Sequence, residues 1–494
     1  MGRYSPVASS KRNGEAMVPI GSREGPAQRA FREISKALAN GTVRPGEQLP
    51  SIRQWAARPG LSFHGVVRAY ERLEALGLVV ANPGRGYFAV AQAQPPVAPV
   101  AVPKPARVKR PSTELDPFWA FFQAPGESMK LGCGWLPADW TDTHSLARVI
   151  RRTANFARSS LVEYGDPAGY LPLREALARH LCGRLGVPVA PANILTTLGA
   201  TQALDLLIRL LVQPGDRVLV DDPCNSSLVQ LLRLRGAQVL GVPRLGEGPD
   251  IEAVGSHLRA GPVRAFFINA RLHNPTGTSL GPRQACALLK LSADHGMLII
   301  EDDVYGDFSS EGGHRLASLE GMANVIYVGS FSKTLSANLR VGYVVAQAEC
   351  VARLADLKLL TCVAVPSFCE RFLGAILADG SYERHLRQVR RRLQTAQAQA
   401  QQALQGWGWE LYHLPCEGMF LWVRHSRLPT TAAFIEAAAQ QRVLLAPGRL
   451  FSASGADTPW LRINVAHFDP VRARALFGLA GCSSQSSAKT HKLV

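Results

Sequence analysis

Two helical stripes of apolar residues lie near the N-terminus of the chain. The first comprises Phe31, Ile34 and Leu38, at spacings of three and four, and Gly41 supplies a stop. The second begins at Ser62, ends at Gly77 and comprises Val66, Val67, Tyr70, Leu73 and Leu76. Between the stripes, Ser51 can cap a short helix that exposes Arg53 near its beginning. The pattern therefore predicts three helices.

Two short strand-like runs follow the third helix. Residues 78–81 and 87–90 are rich in strand-forming residues, and residues 82–86 between them contain Pro83, Gly84 and Arg85. This order predicts a hairpin with a basic tip. Three short helices followed by a hairpin indicate a winged helix-turn-helix, which we place at residues 23–90 and call the head.

After residue 115 the pattern changes to short apolar runs separated by spacers of helical length. The runs are residues 218–220, 265–268, 297–300, 325–328 and 343–345. Runs that are apolar throughout are typical of strands buried on both faces. Residues 116–482, which we call the body, are therefore predicted to form an α/β domain, a mainly parallel sheet with helices on both faces. Its ligand chemistry is expected at the carboxyl ends of the strands.

Composition separates the two domains. Residues 91–115 are rich in Ala, Pro and Val, which predicts a proline-stiffened linker. Residues 1–22 are polar, basic and rich in Gly and Ser, so we expect a disordered arm there. We also expect a disordered tail at residues 483–494.

Positive charge is concentrated in the first quarter of the chain. The formal net charge is +17 over 494 residues, and residues 1–115 contribute +10 of it, with 17 Lys and Arg against 7 Asp and Glu. A basic N-terminal segment indicates a polyanionic partner, although a basic tail without a partner has the same composition.

Cysteine usage and hydropathy bear on the compartment. The nine cysteines are scattered and include no C-x-x-C pair, so we expect reduced thiols and no zinc site. No stretch approaches the roughly 18 apolar residues of a membrane span, and the N-terminus has no apolar signal region. We expect a cytoplasmic protein that does not bind a membrane.

The head resembles a known family closely. Its segment RPGEQLPSIRQWAARPGLSFHGVVRAYERLEALGLVVANPGRGYF resembles the DNA-binding domain of the GntR superfamily of bacterial regulators, over about residues 25–90. The resemblance implies that the residues facing double-stranded DNA are Arg53, Ser62, His64, Arg68 and Arg85. Arginines suit phosphates or guanine edges, and a small helix start lets the backbone approach the groove. Solvated surface is the alternative for any single arginine, and a base contact by His64 is left open.

Polar motifs follow four strands of the body in order. They are GATQA at residues 199–203, NPTG at 274–277, EDDVY at 301–305 and SFSK at 330–333. Together with Arg462 in WLRINVAH they resemble, over roughly residues 116–480, the fold-type I aminotransferases that depend on pyridoxal 5'-phosphate. The resemblance implies this cofactor and an amino acid or other amine as the ligand. The segment LGCGWLPADW (residues 131–140) resembles the loop that covers the substrate in that family.

The chemistry of this cofactor accounts for the residue types. A lysine amine forms a Schiff base with its aldehyde, which is the catalytic role assigned to Lys333. A carboxylate beside the pyridine nitrogen keeps that nitrogen protonated, and Asp302 fits this role better than Asp303. Tyr305 and Asn274 are expected to hydrogen-bond its phenolic oxygen.

The phosphate requires backbone N–H groups at a helix N-terminus, hydroxyls and a cation. The residues assigned to it are Ala200, Thr201, Ser330, Ser332 and Arg340. The segment EYGDPAGYLPLREAL implies that Tyr164 reaches the phosphate of the neighbouring subunit in a homodimer. Arg462 is expected to bind the carboxylate of an amino-acid ligand. Each motif has an alternative interpretation. Lys333 could be a surface lysine, and Asp302 and Asp303 a solvated strand end. Residues 274–277 could be a plain turn, and Arg340 could form a structural ion pair.

One position departs from the family pattern. Two residues after Pro223 the family usually carries an aromatic residue that stacks on the cofactor ring, whereas this chain has Asn225. The loss is expected to weaken or retune the environment of the ring, which disfavours efficient transamination. The segment at residues 270–273, ARLH, is also more basic than a plain aminotransferase predicts.

Head, linker and body in one chain resemble the MocR subgroup of the GntR superfamily. The resemblance implies a transcription regulator that is nucleoid-associated when bound to DNA, in which chemistry at Lys333 changes the conformation of the body and hence DNA binding. The alternative is a working aminotransferase acting on an amino acid and a 2-oxo acid, since all the catalytic residue types are present. A DNA-binding architectural protein is disfavoured because the cofactor constellation is intact.

Overall fold

The computed structural model describes residues 25–90, 116–154, 162–310 and 315–478. The chain divides into two units, Met1–Pro111 and Ser112–Val494. The predicted arm, linker and tail lie outside the described residues. Within the described ranges, no helix has the length and apolar character needed to cross a membrane.

The head contains three helices followed by a hairpin. They are α1 (Pro26–Ala39), α2 (Ile52–Ala56), α3 (Phe63–Ala75), β1 (Val79–Asn82) and β2 (Gly86–Ala89). Strands β1 and β2 pair antiparallel, with Val79 opposite Ala89. Ser51 caps α2 with both hydrogen bonds of a capping box. The predicted winged helix-turn-helix is confirmed, with each strand displaced by one residue.

Two of the five residues predicted for the buried stripe of α3 are not buried. Its buried residues are Gly65, Val66, Ala69, Tyr70 and Leu73. Val67 is only half-buried, because one residue turns it about 100° from Val66 toward the outer face of the helix. Leu76 is 57% exposed because α3 ends at Ala75 and Leu76 lies beyond its last turn.

The body is built on an eight-stranded sheet. Its strands are β3 (Ile194–Thr197), β4 (Arg217–Asp222), β5 (Gln238–Leu245), β6 (Gly248–Pro249), β7 (Ala265–Ile268), β8 (Leu298–Asp302), β9 (Val325–Ser330) and β10 (Gly342–Val345), in the order β3-β10-β9-β8-β7-β4-β5-β6. Strands β5, β4, β7, β8 and β9 are parallel, whereas β10 runs antiparallel to both of its neighbours. The prediction of a mainly parallel sheet is confirmed.

Helices pack on both faces of this sheet, with α6, α9, α10, α11 and α13 in one core and α7, α8 and α12 in the other. The helices of the body are α4 (Asp116–Gln123), α5 (Thr143–Ala154), α6 (Leu171–Leu185), α7 (Ala200–Leu211), α8 (Ser226–Leu234), α9 (Ile251–Arg259), α10 (Pro282–His295), α11 (Leu316–Glu320), α12 (Ala348–Cys362), α13 (Ser367–Ala378), α14 (Ser381–Gly406), α15 (Ala432–Gln440) and α16 (Pro470–Ala473). Alternate residues of β4 enter different cores: Leu219 packs in a cluster with Leu173 of α6, and Val218 in a cluster with Leu207 of α7. This alternation produces the continuous apolar runs of the sequence.

A smaller antiparallel sheet follows α14. Its strands are β11 (Glu410–Leu411), β12 (Phe420–Arg424), β13 (Ala446–Pro447) and β14 (Leu461–Asn464), in the order β11-β12-β14-β13. Arg462 lies on β14, opposite Trp422 of β12 and Ala446 of β13. The apolar core beside this sheet includes Leu131 and Tyr305, so the sheet lies against the region where the predicted motifs meet.

Candidate functional site

The parallel strands bring several predicted motifs to one edge of the large sheet. Because β7, β8 and β9 are adjacent and parallel, Asn269, Asp302 and Ser330 stand at their carboxyl ends together. Strand β3 has the same direction as β9, since both run antiparallel to β10. Helix α7, which follows β3, therefore begins at this edge.

Three functional groups converge on the backbone of Gly134. A Cβ atom placed on this glycine would lie 3.5 Å from Tyr305 Oη, 3.6 Å from Lys333 Nζ and 3.8 Å from Arg462 Nη2. Asn464 fixes the loop that carries Gly134, because its Nδ2 donates to the carbonyl oxygens of Cys133 (3.1 Å) and Trp135 (2.9 Å). The loop that the sequence places over the substrate thus covers the lysine, the tyrosine and the arginine.

Lys333 follows the end of β9 and is shifted toward its neutral form. Burial, followed by the positive charge of Arg462, lowers the pKa of Lys333 from 10.5 to about 8, and Asp302 partly opposes this shift. An amine with a lowered pKa has a larger unprotonated fraction near neutrality, which is the form that attacks a carbonyl carbon.

The two neighbouring aspartates have different environments. Burial raises the pKa of Asp302 to about 7, while its contacts with the N–H of Val304 and with Lys333 lower it. The carboxylate of Asp303 accepts hydrogen bonds from Arg315 Nε (2.6 Å) and Tyr327 Oη (2.7 Å) and is inaccessible to solvent. Asp303 is therefore engaged in a structural ion pair, and Asp302 is the carboxylate near Lys333.

Arg462 is a buried cation whose Nε has no hydrogen-bond partner among the described residues. It donates from Nη1 to Asn274 Oδ1 (2.6 Å) and from Nη2 to the carbonyl oxygen of Gly132 (2.5 Å). Its guanidinium carbon lies 4.7 Å from the ring centroids of both Phe420 and Phe451, and burial lowers its pKa. A desolvated guanidinium of this kind suits a carboxylate ligand.

Asn269 was missed in the sequence and organises this part of the site. Its Oδ1 accepts the N–H of Asn274 (2.8 Å), and its Nδ2 donates to the carbonyl oxygen of Asp302 (2.7 Å). The signal that could have identified it is its position directly after β7. The same side chain therefore sets the positions of two predicted cofactor-contacting residues.

The basic segment that follows Asn269 has a structural explanation. Arg271 donates to Ser309 Oγ at 2.6 Å. His273 is fully buried, 3.6 Å from Asp221, and its Nδ1 lies 2.8 Å from Thr276 Oγ1. Burial and the nearby Arg244 hold the pKa of His273 well below its usual value. These side chains support the loop of residues 271–278 and are not exposed to a ligand.

A second group of residues, which we call the cradle, lies before α7 in an arrangement that suits an anion. Arg340 donates to Ser332 Oγ (3.3 Å) and to the carbonyl oxygen of Leu198 (2.9 Å), immediately before α7. Ser330 Oγ accepts the N–H of Ser332 at 3.2 Å. Gly199 has φ +78°, and a Cβ atom there would lie 2.9 Å from Arg340 Nη2, so glycine is required. Ala200 and Thr201 open α7, which brings a helix N-terminus, hydroxyls and a cation together.

Two further positions that the sequence singled out, Tyr164 and Asn225, have other surroundings. Tyr164 is 89% exposed and lines a separate cavity of about 240 Å³ with Glu370 and Arg371. Asn225 caps helix α8, because its side chain accepts the N–H of Ser227 at 3.1 Å. The position at which the family carries a stacking ring is therefore used as a helix cap in this chain.

The residues that the sequence assigns to DNA all lie on the surface of the head. Arg53 is on α2, His64 and Arg68 are on α3, and Arg85 is at the hairpin tip. Ser62 is the N-cap of α3, and its Oγ accepts the N–H of Gly65 at 3.1 Å. Gln48 Nε2 donates to the carbonyl oxygen of Arg85 and anchors the tip.

Two family models match the chain. The model of class I and II aminotransferases matches residues 127–477, and that of the gntR family of bacterial regulatory proteins matches residues 26–89. The first match spans most of the chain and includes every cofactor residue predicted from the sequence. The second includes all five predicted DNA contacts.

Individual proteins show the same two similarities. The chain is 30% identical over 344 residues to the Bacillus subtilis protein named uncharacterized HTH-type transcriptional regulator YisV, covering 69% of this chain and 70% of that protein. It is 29% identical over 459 residues to the Escherichia coli protein named uncharacterized HTH-type transcriptional regulator YdcR, covering 89% and 94%. The α-aminoadipate aminotransferase LysN from Thermus thermophilus, solved with N-(5'-phosphopyridoxyl)-L-leucine, superposes with a TM-score of 0.68 and 25% identity over 75% of this chain and 94% of that one.

Proposed function

Since this chain belongs to the aminotransferase class I and II family and carries a gntR-family head, it is a GntR-type transcriptional regulator of the MocR type, and we propose that pyridoxal 5'-phosphate in its body controls DNA binding by its head. The observation that carries the proposal is the convergence of Tyr305 Oη, Lys333 Nζ and Arg462 Nη2 beside Gly134. A lysine with a pKa of about 8, a buried carboxylate and a buried guanidinium in one place fit this cofactor and an amino-acid ligand.

The residues around Lys333 have complementary proposed roles. When bound, the cofactor supplies an electron-accepting ring and an aldehyde. Lys333 would hold the aldehyde carbon through its amine, with the aldehyde oxygen lost as water, and the carboxylate of Asp302 would hold a proton on the ring nitrogen. Tyr305 and Asn274 would donate hydrogen bonds to the phenolic oxygen. Asn274 is already oriented for this role by Asn269 and Arg462.

The phosphate of the cofactor is proposed to lie in the cradle before α7. The backbone N–H groups of Ala200 and Thr201, the hydroxyls of Ser330 and Ser332 and the guanidinium of Arg340 are its donors. Support comes from the hydrogen bonds that already join Arg340, Ser332 and Ser330, because a prearranged cradle loses little conformational entropy when the anion binds.

The amine effector is proposed to present a carboxylate to Arg462. The guanidinium lies between two aromatic rings and has an unsatisfied Nε, so a carboxylate would satisfy a buried donor and meet a poorly hydrated cation. An amine without a carboxylate lacks this contact and is expected to act more weakly.

A homodimer is proposed because Tyr164 is far more exposed than a large aromatic usually is. Val162 and Tyr164 are 86% and 89% exposed, and Leu360 of α12 is 82% exposed. In a dimer of bodies, the hydroxyl of Tyr164 would donate a hydrogen bond to the phosphate bound by the partner. The cofactor site would then be complete only in the dimer.

Two measurements test the regulator directly. Purified protein should show the visible absorption band of lysine-bound cofactor; Lys333→Ala should abolish the band, and Lys290→Ala, at an exposed lysine of α10, should retain it. The full chain should protect a segment of its own upstream DNA in a footprinting experiment. Equal bands in the two variants would refute the role of Lys333, and protection of no segment would refute regulation through DNA.

A working aminotransferase is the second candidate. The observation in its favour is that every residue proposed for the cofactor and the amino acid is present, as the similarity to an aminotransferase structure would require. Asn225 argues against it, since the side chain caps α8 and offers no ring. Steady turnover of an amino acid with a 2-oxo acid at ordinary enzyme rates, of the order of 1–1000 s⁻¹, would favour the enzyme.

A further inference from the structure

We infer that Phe63 reads the methyl group of a thymine in the major groove and thereby sets part of the operator sequence. The inference rests on the proposed DNA binding by the head. It adds a residue that the family resemblance did not single out and names the base feature that this residue recognises.

Phe63 is a large apolar side chain left outside the core of the head. It is 51% exposed at the first position of α3, whereas the buried cluster of the head contains Ile34, Trp55 and Tyr70. The one ring contact found for Phe63 within the described residues is an edge contact with the neighbouring His64, at a centroid distance of 6.1 Å. Folding therefore gains little from a phenyl ring at this position.

The position of Phe63 in the motif favours a contact with DNA. Helix α3 is the second helix of the helix-turn-helix, and the N-terminal residues of that helix contact base edges in the major groove. Its inward face is formed by Val66, Tyr70 and Leu73, so the side chains that remain available to DNA include Phe63, His64 and Arg68. Arg68 suits a phosphate or a guanine, whereas Phe63 has no hydrogen-bonding group.

The start of α3 is held rigidly. Ser62 Oγ accepts the N–H of Gly65, and a Cβ atom on Gly65 would lie 3.0 Å from the carbonyl carbon of Pro26, so this turn packs directly on the beginning of α1. A phenyl ring on a fixed backbone has two rotatable bonds and loses little entropy on binding.

The chemistry of the base edges then selects the target. In the major groove, adenine, guanine and cytosine present hydrogen-bonding groups, and thymine alone adds a methyl group. An exposed phenyl ring gains by covering that methyl and loses by covering an unsatisfied donor or acceptor. The geometry thus points to a thymine within the reach of the α3 N-terminus.

The test combines a base change that removes only the methyl with a change of Phe63. Full-length protein selects bound duplexes from a random library, and each thymine of the selected sequence is then replaced singly by deoxyuridine. Wild-type protein should lose roughly three- to tenfold affinity at one or more thymines, the range expected for one buried methyl and its contacts. Phe63→Ala should lose about the same factor on thymine DNA and show no further loss on deoxyuridine DNA.

Two further variants make the result decisive. Val80→Ala removes an apolar side chain of equal exposure, 51%, from β1 and should keep the full thymine preference. Phe63→Leu retains an apolar contact and should keep part of that preference. The inference would be overturned if Phe63→Ala and deoxyuridine DNA each lowered the affinity by the same factor whether or not the other change was present. It would also be overturned if the wild type lost affinity at no thymine. Neither result would contradict DNA binding by the head. Failure to select any duplex would overturn both proposals.

Discussion

Lys333 and Arg462 are two buried cations in one site, and the charge of Arg462 disfavours the protonated form of Lys333. The structure lowers the pKa of both side chains, with burial as the first cause in each. Asp302 partly compensates the charge of Lys333, but burial raises the pKa of Asp302 as well. A bound anion would relieve this arrangement, which is a physical reason to expect a carboxylate or phosphate ligand here.

The lowered pKa of Lys333 predicts how cofactor capture depends on pH. Only the neutral amine attacks the aldehyde, so the rate should rise about tenfold per pH unit below pH 8 and level off above it. An ordinary lysine, with its pKa of 10.5, would show a rate still rising at pH 9 to 10. Stopped-flow measurement of the visible absorption change decides this, and a continued rise beyond pH 9 would contradict the pKa assignment.

Replacing Asn225 by an aromatic residue is expected to weaken the cap of α8 and to strengthen cofactor binding. Asn225→Phe restores a ring where the family usually has one, and a stacking contact of about 0.5–1.5 kcal/mol should tighten cofactor binding two- to tenfold. Asn225→Ala loses the same cap of α8, worth about 1 kcal/mol, without adding a ring. Titration of both apo-proteins with cofactor tests this, and equal affinities of the two variants would show that the ring has no role.

Sequence reasoning found the residues whose chemistry is visible in a short motif. Lys333, Asp302 and Arg340 stand in such motifs, and the structure places each at the same sheet edge or in the cradle beside it. Asn269 was not found in this way, because its role depends on a contact with Asp302, 33 residues away, which only the folded chain reveals. The sequence placed the loop that contains Gly134 over the substrate, but the convergence of Tyr305, Lys333 and Arg462 on this glycine is visible only in the fold.

At the scale of elements, α2, α3 and the hairpin tip present the basic surface of the head. Arg53, Arg68 and Arg85 are exposed on these three elements. Arg72 of α3 is exposed as well, but its guanidinium carbon lies 4.3 Å from the ring centroid of Phe31, so it stacks on α1. Exposed arginines on three elements suit contacts with phosphates, which fix the register of a protein on its duplex.

The arginines on these elements predict a specific salt dependence. Arg53→Ala should weaken binding to all sequences and reduce the slope of log affinity against log salt by about one, because one phosphate contact releases about one counterion. Arg72→Ala removes the same charge from a stacked position and should leave the slope unchanged. Fluorescence anisotropy over a salt series measures both. Equal slopes in Arg53→Ala and the wild type would show that Arg53 does not contact a phosphate.

Elements marked by an unbroken apolar run were predictable, whereas strands of two residues were not. The run at residues 265–268 is a buried strand with the predicted limits, because a fully apolar stretch bounded by polar residues has few alternatives. The buried stripe predicted for α3 was wrong at Leu76, since its exposure depends on where the helix ends. The small sheet of β11 to β14 gave no usable signal, because two of its strands contain only two residues.

At the scale of the whole molecule, regulation requires that events in the body change the affinity of the head for DNA. A ligand shifts an equilibrium only by the difference of its affinities for the two states. The proposed dimer provides a route, because a side chain that crosses to the partner's phosphate would make the relation of the two bodies depend on the cofactor.

Tyr164 predicts an effect that is specific for the phosphate. Tyr164→Phe removes a hydroxyl from an 89% exposed side chain and should not disturb the fold of one chain. A hydrogen bond to a charged group contributes about 1.5–3 kcal/mol, so the affinity for pyridoxal phosphate should fall roughly ten- to hundredfold. The affinity for pyridoxal, which lacks the phosphate, should be unchanged. An equal loss of affinity for both compounds would show that Tyr164 does not contact the phosphate.

Coupling between cofactor and operator is the central claim, and thermodynamic reciprocity tests it most directly. The dissociation constant of the operator is measured for the apo-protein and the cofactor-loaded protein, and that of the cofactor for free and operator-bound protein. If the body controls the head, both ratios should differ from one and be equal, with a coupling of about 1–3 kcal/mol, and Lys333→Ala should reduce both. Control of the head by the body would be contradicted if cofactor did not change the affinity for the operator and the operator did not change the affinity for the cofactor.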